Sequence, residues 1–205
     1  MKNLTLLGIS ISLLLLTAFT FSLNHTVIGI GDNIPLADVK MESVKHEQVS
    51  LNDLKGANGL LVIFSCNTCP FVLAWEDRYN DIYADAKKNK IGMVLVNSNE
   101  AKRTGDDNIE AMVKHARERG YKMPYVVDAN HKLADAFGAK TTPHVYLFNK
   151  DGKLAYVGAI DDNSKDKTAV TSPYLKNALA DLGQGSNCKT AETRAVGCSI
   201  KRVQK

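Results

Sequence analysis

Cys66 and Cys69 stand three positions apart in VIFSCNTCPFVLAWEDRY (62–79), where an apolar run gives way to a helical period. With Cys66 closing a strand and Cys69 in the first helical turn, the sulfurs can join as a disulfide or open to a dithiol with little backbone movement. The unpaired amides of a helix start point at Cys66, and the helix dipole favours negative charge there. A thiol so placed falls from about 8.5 into the range of roughly 3.5–7.5. The thiolate is the attacking species in disulfide exchange. Cys69, held deeper by the helix, suits the resolving step. Two other readings compete with a redox pair. A zinc half-site needs two further ligands. Cys188 and Cys198 lie ten apart, a poor spacing, and His25, His46, His115, His131 and His144 show no ligand spacing, so no metal and no cofactor is expected. An inert structural disulfide is the remaining reading. The redox pair accounts for the sequence better than either.

A second feature is AKTTPHVYLF (139–148), where Pro143 opens a strand although proline cannot donate to the ladder. The placement makes sense if Thr142–Pro143 is cis, leaving the Thr142 backbone free to bind an extended substrate strand. Cis is found in only about 5–6% of X–Pro bonds, so spacing alone does not establish it. His144 reads as an edge-strand side chain and Trp75 as part of a buried helix face.

Period and punctuation supply the elements that must hold these residues. Thr26–Asp53 reads as short extended pieces beside turn residues, a lead-in. Gly59–Ser65 is a compact apolar run, too short for a helix and suited to a buried central strand. From Phe71 through Trp75, Tyr79, Ile82 and Ala86 the apolar positions recur every three or four residues, an amphipathic helix starting at Thr68–Pro70. Ile91–Asn99 is a second buried strand, Asn108–Gly120 a second helix, Pro124–Asp128 a short strand and Leu133–Gly138 a short helix. Pro143–Ile160 is a hairpin turning at Asp151-Gly152, and Pro173–Leu182 a last helix. Strands separated by helices require parallel pairing with right-handed crossovers, and the hairpin adds antiparallel strands. The expected fold is α/β: a central mixed sheet flanked by helices, with an N-terminal β extension and a C-terminal tail.

The chain has 205 residues, 44% of them hydrophobic, and a net charge of +4. A core of that size needs no disulfide to fold. The charges are interspersed, a solvated surface rather than a nucleic-acid footprint, so no nucleic-acid partner is expected. Lys2 followed by the nearly uninterrupted apolar run Leu4–Leu23 reads as a signal peptide or an N-terminal membrane anchor, residues 1–23. Thr20 and Ser22 offer a small-x-small cleavage site. Either form exports the remainder, 24–183 as one domain and 184–205 as a tail carrying a cysteine pair. Exported chains keep disulfides. With 66–69 paired by locality, Cys188 and Cys198 remain, and the expectation is a structural disulfide between them. A second exchangeable pair on a mobile tail, relaying electrons to Cys66, is the alternative.

The strand ending in Cys66-Asn67-Thr68-Cys69-Pro70, the long helix, and Thr142-Pro143 before a hairpin with Asp151-Gly152 resemble the thioredoxin superfamily. Within it, CNTCPFVLAWEDRY, NSNE, MPYVVD, TPHVYLFNKDGKL and the tail AETRAVGCSIK are similar to the redoxin (AhpC/TSA-like) proteins of bacterial envelopes, over roughly Ile34 to Lys201. The resemblance implies a thioredoxin-like fold, Cys66 as nucleophile, Cys69 as resolving cysteine, and Pro143 as a cis-proline beside them. It also implies residence in the bacterial periplasm or on the outer face of the inner membrane.

Several positions depart from the pattern. Ser65 stands where thioredoxins carry Trp, and Leu60 where they bury an Asp that assists proton transfer. Glu76 lies on the right helix but on its expected wet face, so the proton acceptor is unassigned. Asn67-Thr68 matches neither Gly-Pro nor Pro-His, which leaves the redox potential open. Ile63, three before Cys66, replaces the Thr a peroxiredoxin would need, which counts against a thiol peroxidase. The expected activity is exported thiol–disulfide oxidoreduction through Cys66 and Cys69. Its partners would be protein disulfides or dithiols docked at Thr142 and Pro143, with a membrane electron donor and N-terminal anchoring. The competing class is a non-enzymatic binding module holding a partner or a soft metal. Turnover separates the two.

Overall fold

The structure is a computed structural model, and it describes residues 27–203. The expected signal or anchor segment, 1–23, lies outside the described residues. Among those described, no helix is long and apolar enough to cross a membrane.

The chain is organised around β3 (Gly59–Ser65), in which every residue is buried. A strand presents successive side chains to opposite faces, and β3 does so to two cores. Leu61 and Ile63 enter one core with Tyr79, Ile82, Met112 and Leu179. Leu60, Val62 and Phe64 enter the other with Leu133, Phe137, Tyr146 and Phe148. That double burial explains an unbroken apolar run rather than an alternating one.

The lead-in is a small hairpin, β1 (Met41–Glu42) with β2 (Gln48–Val49), followed by a short helix α1 (Leu51–Leu54). This helix was not evident in the period. Ser50 and Asp53 form a reciprocal capping box that starts it. After β3 come α2 (Pro70–Trp75), a 3-10 turn at Glu76–Arg78, and α3 (Tyr79–Lys88). Then follow β4 (Ile91–Asn97), α4 (Ile109–Glu118), β5 (Tyr125–Val127), α5 (Lys132–Phe137) and β6 (Thr141–Thr142). The chain closes with β7 (His144–Asn149), β8 (Leu154–Gly158), α6 (Tyr174–Gly183) and β9 (Cys198–Ser199). The main sheet has the order β5-β4-β3-β7-β8. Its β3–β4 and β4–β5 pairs are parallel, and β3–β7 and β7–β8 antiparallel. This is the thioredoxin-like, mixed and helix-flanked sheet expected from the sequence. It brings the ends of β3 and β4 side by side, with Ser65 opposite Asn97.

The long first helix differs from expectation. The tightened turn at Glu76–Arg78 changes its phase, since a 3-10 turn advances three residues per turn rather than 3.6. Glu76 is therefore buried rather than wet. It accepts hydrogen bonds from the Tyr121 hydroxyl at 2.8 Å and meets His115 Nε2 at 2.7 Å and Arg119 Nε at 2.9 Å. Arg78 is likewise buried and pairs with Asp161, which also accepts from Trp75 Nε1 at 2.9 Å. Trp75 and Glu76 thus tie the helix into the fold.

The tail packs along the domain. Val157 N donates to Ala191 O at 2.9 Å and Thr193 N to Val157 O at 3.0 Å. Further on, Ile200 is buried, and Arg202 pairs with Asp135 at 2.7 Å.

Candidate active site

Cys66 follows the last residue of β3, and Cys69 is the N-cap of α2, whose first helical position is Pro70. Proline suits that position because its missing amide hydrogen has no helical acceptor there. Both cysteines are almost fully covered, 2% and 5% exposed.

The loop between them is pinned by Asn67. Its backbone amide donates to Asp107 Oδ1 at 2.9 Å, its side-chain amide donates to Asp106 O at 2.7 Å, and its Oδ1 accepts from the Tyr125 hydroxyl at 3.0 Å. Asp107 is fully buried. It also accepts from Asn97 Nδ2 at 2.7 Å and Asn99 Nδ2 at 3.0 Å, while Arg103 Nη1 donates to its backbone carbonyl at 2.5 Å. A buried carboxylate survives where several donors satisfy it. Sequence reasoning missed Asp107. In GDDN it looks like one of two solvated acids before a helix cap. Only the parallel pairing of β3 with β4 carries the loop after β4 to the cysteine loop.

The Thr142–Pro143 bond is cis. Thr142 is buried, its Oγ1 lies 3.4 Å from Cys66 Sγ, and its carbonyl oxygen accepts from Cys69 Sγ at 3.1 Å. The structure therefore brings Cys66, Cys69, Thr142 and Pro143 together. His144, next along, lies against Tyr146 with the rings tilted at 47° and is only partly exposed. Burial and the nearby Lys140 hold it down at about 4, so its ring is neutral near pH 7.

The two thiols share their protons unequally. Cys69 is lowered to about 4, chiefly by the hydrogen bond from Cys66, with help from Cys198 and from the Val72 amide in the first turn of α2. Cys66 is pushed up, because it gives that hydrogen bond, because it is buried, and because Asp107 is near. In this arrangement charge on Cys69 is favoured chiefly by the neighbouring Cys66 and only secondarily by the first turn of α2. The Thr142 carbonyl opposes this by accepting a Cys69 thiol proton at 3.1 Å.

The expected Cys188–Cys198 staple is not formed: all four cysteines are unbridged. Cys188 packs against the α6 side of the core and gives a long hydrogen bond, 3.8 Å, to Ala178 O. Cys198 packs with Cys66, Cys69 and Val72. The reason lies in the strands. β9 pairs antiparallel with β6, placing Cys198 opposite Thr142, so the tail edge is committed to the cysteine site. Among the described residues, no group of three or more His, Cys, Asp or Glu is arranged to hold a metal ion.

The signature of the AhpC/TSA family matches residues 30–157. Thiol-disulfide oxidoreductase YkuV of Bacillus subtilis is 29% identical over 116 residues, 55% of this chain and 74% of that one. Thiol-disulfide oxidoreductase ResA of Geobacillus thermodenitrificans is 25% identical over 152 residues, 70% of this chain and 80% of that one. A crystal structure of an uncharacterized conserved protein from Geobacillus kaustophilus superposes with a TM-score of 0.80 at 31% identity, covering 86% of this chain and 94% of that one.

Proposed function

This chain belongs to the AhpC/TSA family, and from that premise we propose that it is a thiol–disulfide oxidoreductase whose working groups are Cys66 and Cys69. The observation that carries the reading is the meeting of the two sulfurs with Thr142, next to Pro143. The names of the two curated relatives support the same reaction class.

In the reduced pair one sulfur is charged while the other is a thiol. The thiolate attacks a substrate disulfide, forms a mixed disulfide, and expels the substrate's second sulfur. The remaining thiol, once deprotonated, attacks the bonded cysteine. A Cys66–Cys69 disulfide and a reduced substrate result. Burial keeps water and stray thiols from the pair, and Asn67, tied to Asp107, fixes the loop that carries it. The Thr142 backbone, expected to be free, is paired with the tail strand β9, so an extended substrate would lie on that edge in place of the tail. The apolar run Leu4–Leu23 supports an exported chain that meets its substrates outside the cytoplasm.

Dithiothreitol-driven reduction of insulin tests the reading. The wild type should reduce insulin faster than dithiothreitol alone, and Cys66→Ser and Cys69→Ser should each fall to the uncatalysed rate. A wild type that gives no acceleration would contradict catalysis and favour a binding role.

A further inference from the structure

The Thr142 edge is already occupied by the protein's own tail. Residues Thr141 and Thr142 pair antiparallel with Ser199 and Cys198. The approach is close. A Cβ on Gly197 would lie 2.2 Å from Thr142 O, so only glycine lets the tail reach this edge without displacement. The segment is anchored on both sides. Before it, Thr193 Oγ1 lies 2.7 Å from the Tyr156 hydroxyl and accepts from Ala159 N at 3.0 Å. After it, Ile200 N donates to Lys140 O at 3.0 Å and Lys201 N to Asn99 Oδ1 at 2.8 Å. The strap is thus a built part of the site, and the cysteine it carries packs against the cluster of Cys66, Cys69 and Val72.

Cys66, Cys69 and Cys198 pack in one cluster with Val72, and Cys69 is the neighbour of both other sulfurs. In thiol–disulfide exchange the sulfur under attack stands between the attacking and the leaving sulfur. Cys69 occupies that middle place. Building on the exchange reading above, we propose that Cys198 is a third redox cysteine, which attacks Cys69 of the Cys66–Cys69 disulfide and forms a Cys69–Cys198 disulfide. The Cys66–Cys69 bond breaks, Cys66 leaves as a thiolate, and the proton lost by Cys198 is available to it. No electron enters or leaves, so no further oxidant is needed.

Two circumstances favour the step. In the reduced protein, burial and the neighbouring Cys69 hold Cys198 protonated. Once Cys69 is bonded to Cys66 its charge is gone, and one obstacle to a Cys198 thiolate goes with it. The strand pairing also holds Cys198 where the cysteine of a docked substrate would lie. The tail therefore acts as an internal substrate. Its disulfide fastens the strap across Thr142 and closes the docking edge while leaving Cys66 free.

Disulfide mapping tests this on the full chain. The protein is oxidised with limiting diamide, quenched in acid, alkylated, cut with pepsin and read by mass spectrometry. The wild type should yield both Cys66–Cys69 and Cys69–Cys198 peptides. Cys66→Ser should yield Cys69–Cys198 within single chains, with loss of most Cys198 alkylation. Cys188→Ser should give the wild-type map. If Cys66→Ser proves unstable, the wild-type map alone decides. A wild type with the Cys66–Cys69 peptide and fully alkylated Cys198 overturns the third cysteine and leaves the exchange reading standing. A wild type with Cys69–Cys198, no Cys66–Cys69 and no insulin turnover overturns the exchange reading instead.

Discussion

Cys188 and Cys198 leave the last helix on the same segment, and one is inert packing while the other sits in the site. Cys188 lies beside α6, where burial and Asp181 push its thiol up to about 11. Cys198 is carried by a two-residue strand onto Thr142 and meets Cys69. The residue type is shared, and so is the small, polar, basic composition around it. What differs is the backbone each rides on. A cysteine gains exchange chemistry from the sulfur and strand placed beside it, and spacing along the chain carries none of that information.

The largest effect that would sharpen this contrast is on turnover. Cys69→Ser should reduce catalysed insulin reduction to background. Cys188→Ser should keep wild-type turnover and change stability by no more than about 1 kcal/mol. Equal losses from both would break the contrast.

Alkylation kinetics separate the two environments next. With Cys69 near 4 and Cys188 near 11, Cys69 is charged at mildly acidic pH and Cys188 is not. A brief iodoacetamide pulse should modify Cys69 ahead of Cys66 and Cys188. Between about pH 6 and 8 the Cys69 rate should stay flat, while the Cys188 rate rises about tenfold per pH unit, as expected for a thiol titrating well below its pKa. A pulse that modifies Cys66 first would restore the order expected from the sequence.

Gly197→Ala acts on the strap alone. Its Cβ cannot fit against Thr142 O, so the tail must lift or the loop must shift. The expected cost is about 1–3 kcal/mol, as for other overpacked contacts, read as a lower melting temperature. Cys66 and Cys69 should be alkylated faster as their cover loosens. Unchanged alkylation would show that the tail does not limit access.

The smallest effect is at His144. Its folded value, about 4, lies below that of an unfolded histidine, about 6.5. The unfolded state therefore takes up the proton first, and stability falls as the pH drops from about 6.5 towards 4. His144→Gln should flatten the melting temperature over that interval, as read by thermal denaturation at several pH values. An unaltered profile would assign the acid sensitivity to other groups.

Much of the sheet was legible because β3 has only one way to be apolar at every position: burial on both faces. Cys66, Cys69, Thr142 and Pro143 were legible as separate signals for the same reason, since each is costly or unusual where it stands. Asp107 and Cys198 were not. Each reaches the site through a partner distant in sequence, Asp107 by the parallel β3–β4 alignment and Cys198 by two residues of β9. Glu76 was misplaced because one 3-10 turn shifted the helical phase. Neither α1 nor its capping box has a long enough period to be read in advance, although Ser50 and Asp53 stand at the right spacing.

The central claim is that Cys66 and Cys69 form one reversible two-electron couple. Equilibrating the protein in glutathione buffers of graded potential, then trapping and counting free thiols at each cysteine, measures this directly. Cys69 should lose its label in a single two-electron transition, with the losses at Cys66 and Cys198 summing to the loss at Cys69, at a potential between about −270 and −120 mV, the span of dithiol oxidoreductases of this chemistry. Cysteines that titrate independently, or that remain labelled across the whole range, would contradict it.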